Sequence, residues 1–128
     1  MPTPAEIIDH LGLVPLPVEG GLFAQSHRSS EASAIYYLLV PPATSARHRL
    51  DRLEIWVFHG GAPVAMTLEH PDGRVSRVTL GLDVATGQRP QVVVPAGVWQ
   101  SASSLGAWSL MGTVVVPPYT DASVEFPP

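Results

Sequence analysis

Apolar and polar residues alternate with a period of two along most of the chain from Leu22 onward. This alternation is typical of strands buried on one face, because successive side chains of a strand point to opposite sides. Proline and glycine interrupt it at short intervals. The predicted strands between these breaks are 22–28, 33–40, 46–50, 54–59, 63–70, 74–80, 91–94, 98–104 and 107–116. No long helical period recurs, so the pattern favours an all-β fold, an antiparallel double-sheet jelly roll.

One short helix is predicted before the strands, over residues 4–11. Thr3 is a suitable N-cap, and Glu6 three residues later completes a capping box. Gly12 is a natural end for the helix, and its apolar face is expected to pack outside the barrel. The next residues, 14–17, contain two prolines. They are predicted to form an extended connector outside any sheet ladder, because proline lacks a backbone donor. Further along, the turn Pro71-Asp72-Gly73 is expected to join strands 63–70 and 74–80 as a hairpin.

The composition narrows the classes of function. The chain has 128 residues, 45% hydrophobic and 14% charged, which suits one domain spanning 1–128. A net charge of −4 argues against nucleic-acid binding, which requires a basic face. The absence of cysteine excludes disulfides and thiolate metal sites. No secretory signal and no apolar run of membrane-spanning length is found, so a cytoplasmic protein without membrane partners is expected.

Two segments carry candidate chemistry. The first, His48-Arg49-Leu50-Asp51-Arg52-Leu53-Glu54, is followed by Gly61, and the second is Pro95-Ala96-Gly97-Val98-Trp99-Gln100. Together they resemble the paired motifs of the cupin superfamily. The first cupin motif runs His-x-His, three or four residues, Glu, six residues and Gly, and the second runs Pro-x-Gly-x-x-His. Leu50 and Gln100 stand where two metal-binding histidines belong, so the resemblance implies the fold with an incomplete ligand set.

The resemblance extends to one uncharacterised cupin subfamily and covers roughly residues 4–120. Further segments match it in order: Glu19-Gly20-Gly21-Leu22-Phe23, Arg28-Ser29, Ile35-Tyr36-Tyr37-Leu38-Leu39, Leu80-Gly81 and Gly87-Gln88. The chain departs from the subfamily at Val18, where proline is usual, and at Val57, where histidine is frequent. The resemblance implies a jelly roll that is usually dimeric, and the subfamily has no secure shared activity.

Strand parity predicts which residues face the cavity of this barrel. If Glu54 points inward, Trp56 does too, whereas Ile55, Val57 and His59 point outward. By the same rule His48 faces the interior, and Gln100 is expected to converge on the same cavity. Tyr36 and Tyr37 lie on opposite faces of one strand, so only one of them lines the cavity, and parity does not say which. The candidate ligand contacts are Gln100, Tyr37, Trp56, Glu19 and Arg28.

Each candidate residue has a role that its chemistry suggests and a structural alternative. His48 suits a general acid or base, because histidine ordinarily titrates near neutral pH. Glu54 inside an apolar barrel must either pair with an arginine as a structural ion pair or have a raised pKa. Gln100 can orient a substrate oxygen. Glu19 is expected to meet either the ligand or Arg28 from a flexible rim, unless Gly20 and Gly21 simply form a turn at positive φ.

A metal cofactor is not expected. Catalytic zinc or iron normally has three good protein ligands, whereas His48, Glu54 and Gln100 supply one imidazole and one carboxylate. A divalent ion held by these three would bind weakly and be removed by chelator without a change in melting temperature. His27 and His59 can complete the ligand set only if the strand register differs from that predicted.

These features support three function hypotheses. The first is a metal-independent isomerase, epimerase or lyase that binds a small polar metabolite and moves a proton of that metabolite, with His48 and Glu54 as the acid–base pair. The second is a non-catalytic small-molecule binding or sensing module, and the third is a metal-dependent cupin enzyme with an unusual ligand set. A homodimer is expected in each case, because outward-facing Ile55, Val57 and the run 114–116 leave apolar surface uncovered.

Overall fold

Two antiparallel β-sheets form the barrel in the computed structural model, which describes residues 1–128. The helix and strands are α1 (Pro4–Leu11), β1 (Val14–Pro15), β2 (Leu22–Arg28), β3 (Ser33–Leu39), β4 (Ser45–Leu50), β5 (Leu53–Gly61), β6 (Val64–Glu69), β7 (Val75–Leu80), β8 (Gln91–Val94), β9 (Trp99–Ser104), β10 (Ser109–Val116) and β11 (Val124–Glu125). The larger sheet has the order β1-β2-β3-β10-β5-β8, and the smaller has the order β11-β4-β9-β6-β7. The predicted all-β double-sheet jelly roll with one N-terminal helix is confirmed.

The core lies between the two sheets, because alternate residues of each strand face it. Along β6, for example, Val64, Met66 and Leu68 are buried, and they pack with Trp56 and Val94 of the opposite sheet. The nine predicted strands agree with the observed bounds to within two residues at each end. The 71–73 hairpin between β6 and β7 is also present, with Leu68 paired to Ser76. Period-two patterning was therefore sufficient to locate these strands.

The prediction that residues 14–17 lie outside any ladder is wrong for the first half of that segment. Val14 pairs with Phe23, and Pro15 pairs with Leu22. Because β1 is the edge strand of its sheet, it has a neighbouring strand on one side alone. Proline is tolerated there, since the N–H group that it lacks is not needed for a ladder hydrogen bond. The short strand β11 at the edge of the smaller sheet was not predicted either; its Val124 pairs with Leu50 of β4.

The helix α1 packs on the outer face of the larger sheet. Its capping box is formed as predicted, with the Glu6 backbone N–H donating to Thr3 Oγ1 at 3.2 Å. Gly12 ends the helix at φ +67°. Ile7 and Leu13 then pack against Leu38 of β3, outside the main core. No helix of the structure combines the length and apolar character needed to cross a membrane.

A β-bulge in β4 determines which side chains reach the interior. Ser45 pairs with Ala102 and His48 pairs with Gln100, so three steps along β4 match two along β9. In a regular strand Ser45 and His48 would face opposite sides, because they are three positions apart and the alternation has a period of two. The extra residue resets the alternation, and both side chains are buried.

Val18 is the one non-glycine residue at positive φ, with a value of +67°. Branched side chains are strained there, at a cost of about 1–3 kcal/mol. The side chain is 76% exposed, so its contacts do not offset the strain. Proline, usual at this position in the subfamily that the sequence resembles, could not adopt this φ.

We expect Val18→Asn to stabilise the protein by about 1 kcal/mol, because asparagine tolerates the left-handed region. Chemical denaturation would measure the change in the free energy of unfolding. Val84→Asn is the matched control, since Val84 is also exposed but has no positive φ. Equal effects of the two substitutions would show that strain at Val18 is not relieved.

An apolar stripe crosses the outer face of the larger sheet where α1 does not cover it. Val93, Ile55 and Val114 are cross-strand neighbours on this face. Leu53 and Val116 extend the stripe and are paired with each other. Val93 is 53% exposed and Val116 is 40% exposed. We propose that this stripe pairs with the same stripe of a second copy, since burying such side chains contributes roughly 1.5–3 kcal/mol each.

We expect the protein to be a dimer at micromolar concentration and Val93→Glu to make it monomeric, because a buried carboxylate at the pairing face is costly. Light scattering after size-exclusion chromatography would give the mass. Val75→Glu is the matched control, because Val75 is 49% exposed but lies on the smaller sheet. A monomeric wild-type protein, or a dimer that survives Val93→Glu, would refute this interface.

Candidate functional site

A cavity of about 80 Å³ lies between the two sheets. Its apolar lining consists of Leu16, Phe23, Ile35, Leu50 and Val115. Its polar lining consists of Glu19, Gln25, Ser33, Tyr37, His48, Glu54, Thr113 and Tyr119. Because one water molecule requires roughly 10–15 Å³ by this kind of measure, the cavity has room for several waters or a ligand of a few heavy atoms.

Glu54 on β5 is the buried carboxylate of this cavity, with 7% of the residue exposed. Its Oε1 accepts a hydrogen bond of 2.9 Å from Gln100 Nε2. Gln100 Oε1 in turn accepts a bond of 2.9 Å from the indole nitrogen of Trp56. Gln100 and Trp56 are predicted ligand contacts, but neither lines the cavity. They lie behind Glu54 and hold its side chain in place.

The pKa of Glu54 is raised from 4.5 to about 7. Burial is the largest cause, because it penalises the charged form, and the nearby negative charge of Glu19 adds to it. His48, the hydrogen bond from Gln100 and the nearby Thr113 hydroxyl act in the opposite direction. The sequence left two alternatives for Glu54, an ion pair with an arginine or a raised pKa. No arginine pairs with Glu54, so this environment produces the raised pKa.

His48 on β4 presents one defined ring nitrogen to the cavity. Its Nδ1 lies 2.6 Å from the backbone oxygen of Ala46. A carbonyl oxygen can only accept, so Nδ1 carries a proton and donates it to this bond. The other nitrogen, Nε2, lies 3.5 Å from Glu19 Oε1. Nε2 is therefore the atom of His48 through which a proton can be exchanged.

Glu19 is held by the loop between β1 and β2. Its Oε2 accepts a hydrogen bond of 2.9 Å from the Ser45 hydroxyl, and its backbone oxygen accepts one of 2.7 Å from Ala46. Gly20 and Gly21 have φ of +96° and +78°. A Cβ at Gly20 would collide with a backbone oxygen, and one at Gly21 would lie 2.8 Å from the Tyr37 ring. The loop is thus a pinned turn and not a flexible rim, and Glu19 faces His48.

Tyr37 is the member of the tyrosine pair that lines the cavity, whereas Tyr36 faces outward. Its hydroxyl donates to the Gly20 backbone oxygen at 2.5 Å. Its ring meets Trp56 edge-on, with centroids 5.8 Å apart. Burial, with a further contribution from Glu19, raises the pKa of Tyr37 well above its usual range. The phenol therefore remains protonated at physiological pH.

Arg28 is a predicted ligand contact that the structure places outside the cavity. Its guanidinium is exposed and donates to the Tyr119 backbone oxygen at 2.7 Å. Arg52 donates in the same way to Pro118, also at 2.7 Å. A third contact runs from the Tyr119 backbone N–H to the Ser33 hydroxyl at 2.9 Å. Arg28 thus helps to hold the segment that brings Tyr119 to the cavity.

Sequence reasoning missed several lining residues. Thr113 could have been found by parity, since it is a polar residue on the buried face of β10. Ser45 does not line the cavity but holds Glu19 in it through a hydrogen bond. Regular alternation would place Ser45 on the side opposite His48, so the bulge hid this contact from the sequence. Tyr119 follows the last long strand and a proline pair. No local pattern signals its approach, because the contacts that hold it come from Arg28 and Ser33, far away in sequence.

The donor set of the cavity does not match the metal site of the motifs that the sequence resembles. Leu50 lines the cavity at the position of one missing ligand. Both polar atoms of the Gln100 amide are already bonded within the protein. His27 and His59 are exposed and do not line the cavity. No group of three or more His, Cys, Asp or Glu side chains is arranged to hold an ion. That the protein carries no metal in the cell stays a prediction.

The raised pKa of Glu54 predicts a pH dependence of stability. The folded state holds a proton on Glu54 up to about pH 7, whereas the unfolded state loses it near 4.5. Stability should therefore fall as pH rises from 4.5 to 7, by about 3 kcal/mol at most. Glu54→Gln keeps the acceptor for Gln100 and cannot ionise. We expect this variant to gain stability relative to wild type across that interval.

Denaturant titrations at several pH values would measure this difference. Glu125→Gln is the control, because an exposed hydrogen bond from Arg49 lowers the pKa of Glu125. Its contribution is present at neutral pH and is lost as pH falls, so the control should have the opposite sign. A difference between Glu54→Gln and wild type that is flat from pH 4.5 to 7 would contradict the assigned pKa.

Proteins of known structure share this fold. A solved protein from Shewanella oneidensis is 35% identical, with a TM-score of 0.92, and the match covers 98% of this chain and 85% of that one. A hypothetical protein from Leishmania major is 27% identical, with a TM-score of 0.90, and the match covers 98% and 87% of the two chains. Oxalate decarboxylase from Bacillus subtilis is 14% identical with a TM-score of 0.71, over 88% of this chain and 29% of its own.

The oxalate decarboxylase likeness, at so low an identity, shows the fold alone. No curated protein matches this chain in sequence. A family model described as cupin superfamily (DUF985) matches residues 5–127, which is nearly the whole chain. The chain therefore belongs to the cupin superfamily, in the family DUF985.

Proposed function

We propose that the protein binds a small polar metabolite in the cavity and transfers a proton there, as a metal-independent isomerase, epimerase or lyase. The observation that carries the proposal is the placement of His48 and Glu54 on the wall of one small cavity. Both residues are buried. In each side chain a hydrogen bond to one polar atom fixes the orientation of the other polar atom, and that second atom can exchange a proton. Such preorganisation is what general acid–base catalysis requires.

Two proton carriers suit reactions in which one group removes a proton and another delivers one. A carboxyl with a pKa of about 7 is populated in both protonation states near neutral pH. His48 Nε2 supplies the second carrier. Isomerisation and epimerisation move a proton between two positions of the substrate, and a lyase step removes a proton while a leaving group is protonated. The pair is sufficient for each of these reactions.

Polar groups beside the pair can orient a substrate. The oxygen of Tyr37 remains able to accept a hydrogen bond while its proton is directed to Gly20. The Thr113 hydroxyl and the Gln25 amide also line the cavity. Leu16, Ile35 and Val115 line it with apolar surface. A cavity with apolar walls and a few convergent polar groups is typical of small-molecule sites.

A second candidate is a binding or sensing module without catalysis. It is favoured by the contact of 3.5 Å between His48 Nε2 and Glu19 Oε1. A histidine that contacts a carboxylate in this way can help to order the cavity when a ligand binds, without taking part in catalysis. The third hypothesis, metal-dependent chemistry, is weakened by the donor set. Bacillus subtilis oxalate decarboxylase has Mn(II) centres, but here Leu50 and Gln100 offer no free ligand.

The experiment begins with a thermal-shift screen of small sugars, keto acids, polyols and amines, using wild type, His48→Ala and Glu54→Gln. Each compound that binds is then incubated with the protein in D2O, and NMR measures deuterium incorporation and product formation. We expect exchange with wild type and a loss of at least about 100-fold in either variant, the usual range for an acid–base group. His59→Ala should behave as wild type, since His59 is exposed outside the cavity.

The outcomes separate the three hypotheses. Binding that depends on His48 without exchange or turnover would favour the sensing module. Activity that disappears in chelator and returns with a divalent ion would favour the metal-dependent enzyme. Exchange that persists in both variants would remove His48 and Glu54 from the proposal.

A further inference from the structure

We propose that the cavity selects a small organic ammonium compound, such as a short amino alcohol, over carboxylates and phosphates. This inference rests on the proposed function, because it names the substrate class of the same site. The charges that line the cavity, its aromatic and apolar walls and its volume favour such a compound.

The charged side chains of the cavity are predominantly acidic. Glu19 and Glu54 both line it, and His48 is the one lining residue that can become cationic. His48 Nε2 already faces Glu19 at 3.5 Å. An anionic ligand would enter beside two carboxyl groups without a free cation to pair with it. Such a desolvated, unpaired charge is strongly disfavoured.

The arginines do not change this balance, since none of the seven lines the cavity. Arg28 and Arg52 donate to the backbone oxygens of Tyr119 and Pro118, in the C-terminal segment of the chain. Arg47 and Arg49 are paired with carboxylates on the outside of the barrel. The usual residue for binding carboxylate or phosphate is therefore absent from the site.

A ligand ammonium group would find favourable partners here. The carboxyl groups can accept its hydrogen bonds, and their attraction to it is strengthened by the low-dielectric surroundings. The rings of Phe23, Tyr37 and Tyr119 line the same space, and aromatic faces attract organic cations. Leu16, Ile35 and Val115 can cover a short alkyl chain. The volume of about 80 Å³ limits the enclosed part to a few heavy atoms.

Ammonium binding should tighten as pH rises from 6 to 8. Glu54 loses its proton in this interval, because its pKa is about 7. Glu19, His48, Tyr37 and Tyr119 are the other titratable groups of the cavity. An alkylammonium remains charged throughout, since amines of this kind titrate near pH 10. The change in affinity thus reports on the protein and not on the ligand.

Calorimetry with three compounds of matched size tests the inference: 3-amino-1-propanol, 1,3-propanediol and 3-hydroxypropionate. We expect the amine to bind wild type at least about tenfold more tightly than the carboxylate at pH 8. The preference should fall about tenfold in Glu54→Gln and in Glu19→Gln. It should be unchanged in Glu69→Gln, the control, whose carboxylate pairs with Arg47 on the outside. Melting temperatures of all variants establish that they are folded.

The wild-type protein alone gives a second measurement, a several-fold gain in amine affinity between pH 6 and 8. Equal or tighter binding of 3-hydroxypropionate would overturn the charge inference. So would an amine affinity that is independent of pH and of both glutamates. The proposed function would still stand if another compound bound and its proton exchange required His48 and Glu54. If no compound of any class showed exchange, the proposed function would fall separately.

Discussion

The buried carboxyl of Glu54 is the constraint to which the rest of the site responds. A carboxylate between two apolar sheets is costly unless it is neutralised, paired or hydrogen-bonded. Here no cation pairs with it, and the Gln100 amide from the opposite sheet supplies a hydrogen bond. The same amide binds Trp56 beside Glu54. In this chain an amide thus links the two sheets at a position that the cupin motif assigns to a metal ligand.

The ionisable groups of the cavity act as one unit. Glu54 responds to both Glu19 and His48, and Glu19 is itself held by Ser45. Effects of single substitutions at His48, Glu19 and Glu54 will therefore not add, and only double-mutant cycles can separate their contributions.

The fold could be predicted almost completely from the sequence, because its determinants are local. Alternation located the nine long strands, and Thr3 with Glu6 defined the start of α1. Pairing at the sheet edges could not be predicted, since it depends on which neighbour is present in space. Pro15 is tolerated in a ladder only because β1 is an edge strand.

The site was predictable only in part, because parity shows which face a side chain occupies and not its depth. Parity brought His48, Glu54 and Gln100 to one interior face. It could not show that Gln100 lies behind Glu54 and that both polar atoms of its amide are already bonded within the protein. Nor could it assign Arg28, whose contact with Tyr119 spans 91 residues of sequence. Long-range contacts of this kind are set by the assembled barrel, so no local pattern records them.

The indole of Trp56 has a consequence for the stereochemistry of the site. An indole N–H can only donate, so the Gln100 atom that it meets must be the oxygen. The NH2 group of the amide therefore faces Glu54 and donates to its Oε1. When Glu54 is neutral, its proton accordingly resides on Oε2, the oxygen that Gln100 leaves free. A proton held on one oxygen of a fixed carboxyl is delivered from one direction, so in the proton transfer proposed above a prochiral substrate would be protonated on a single face.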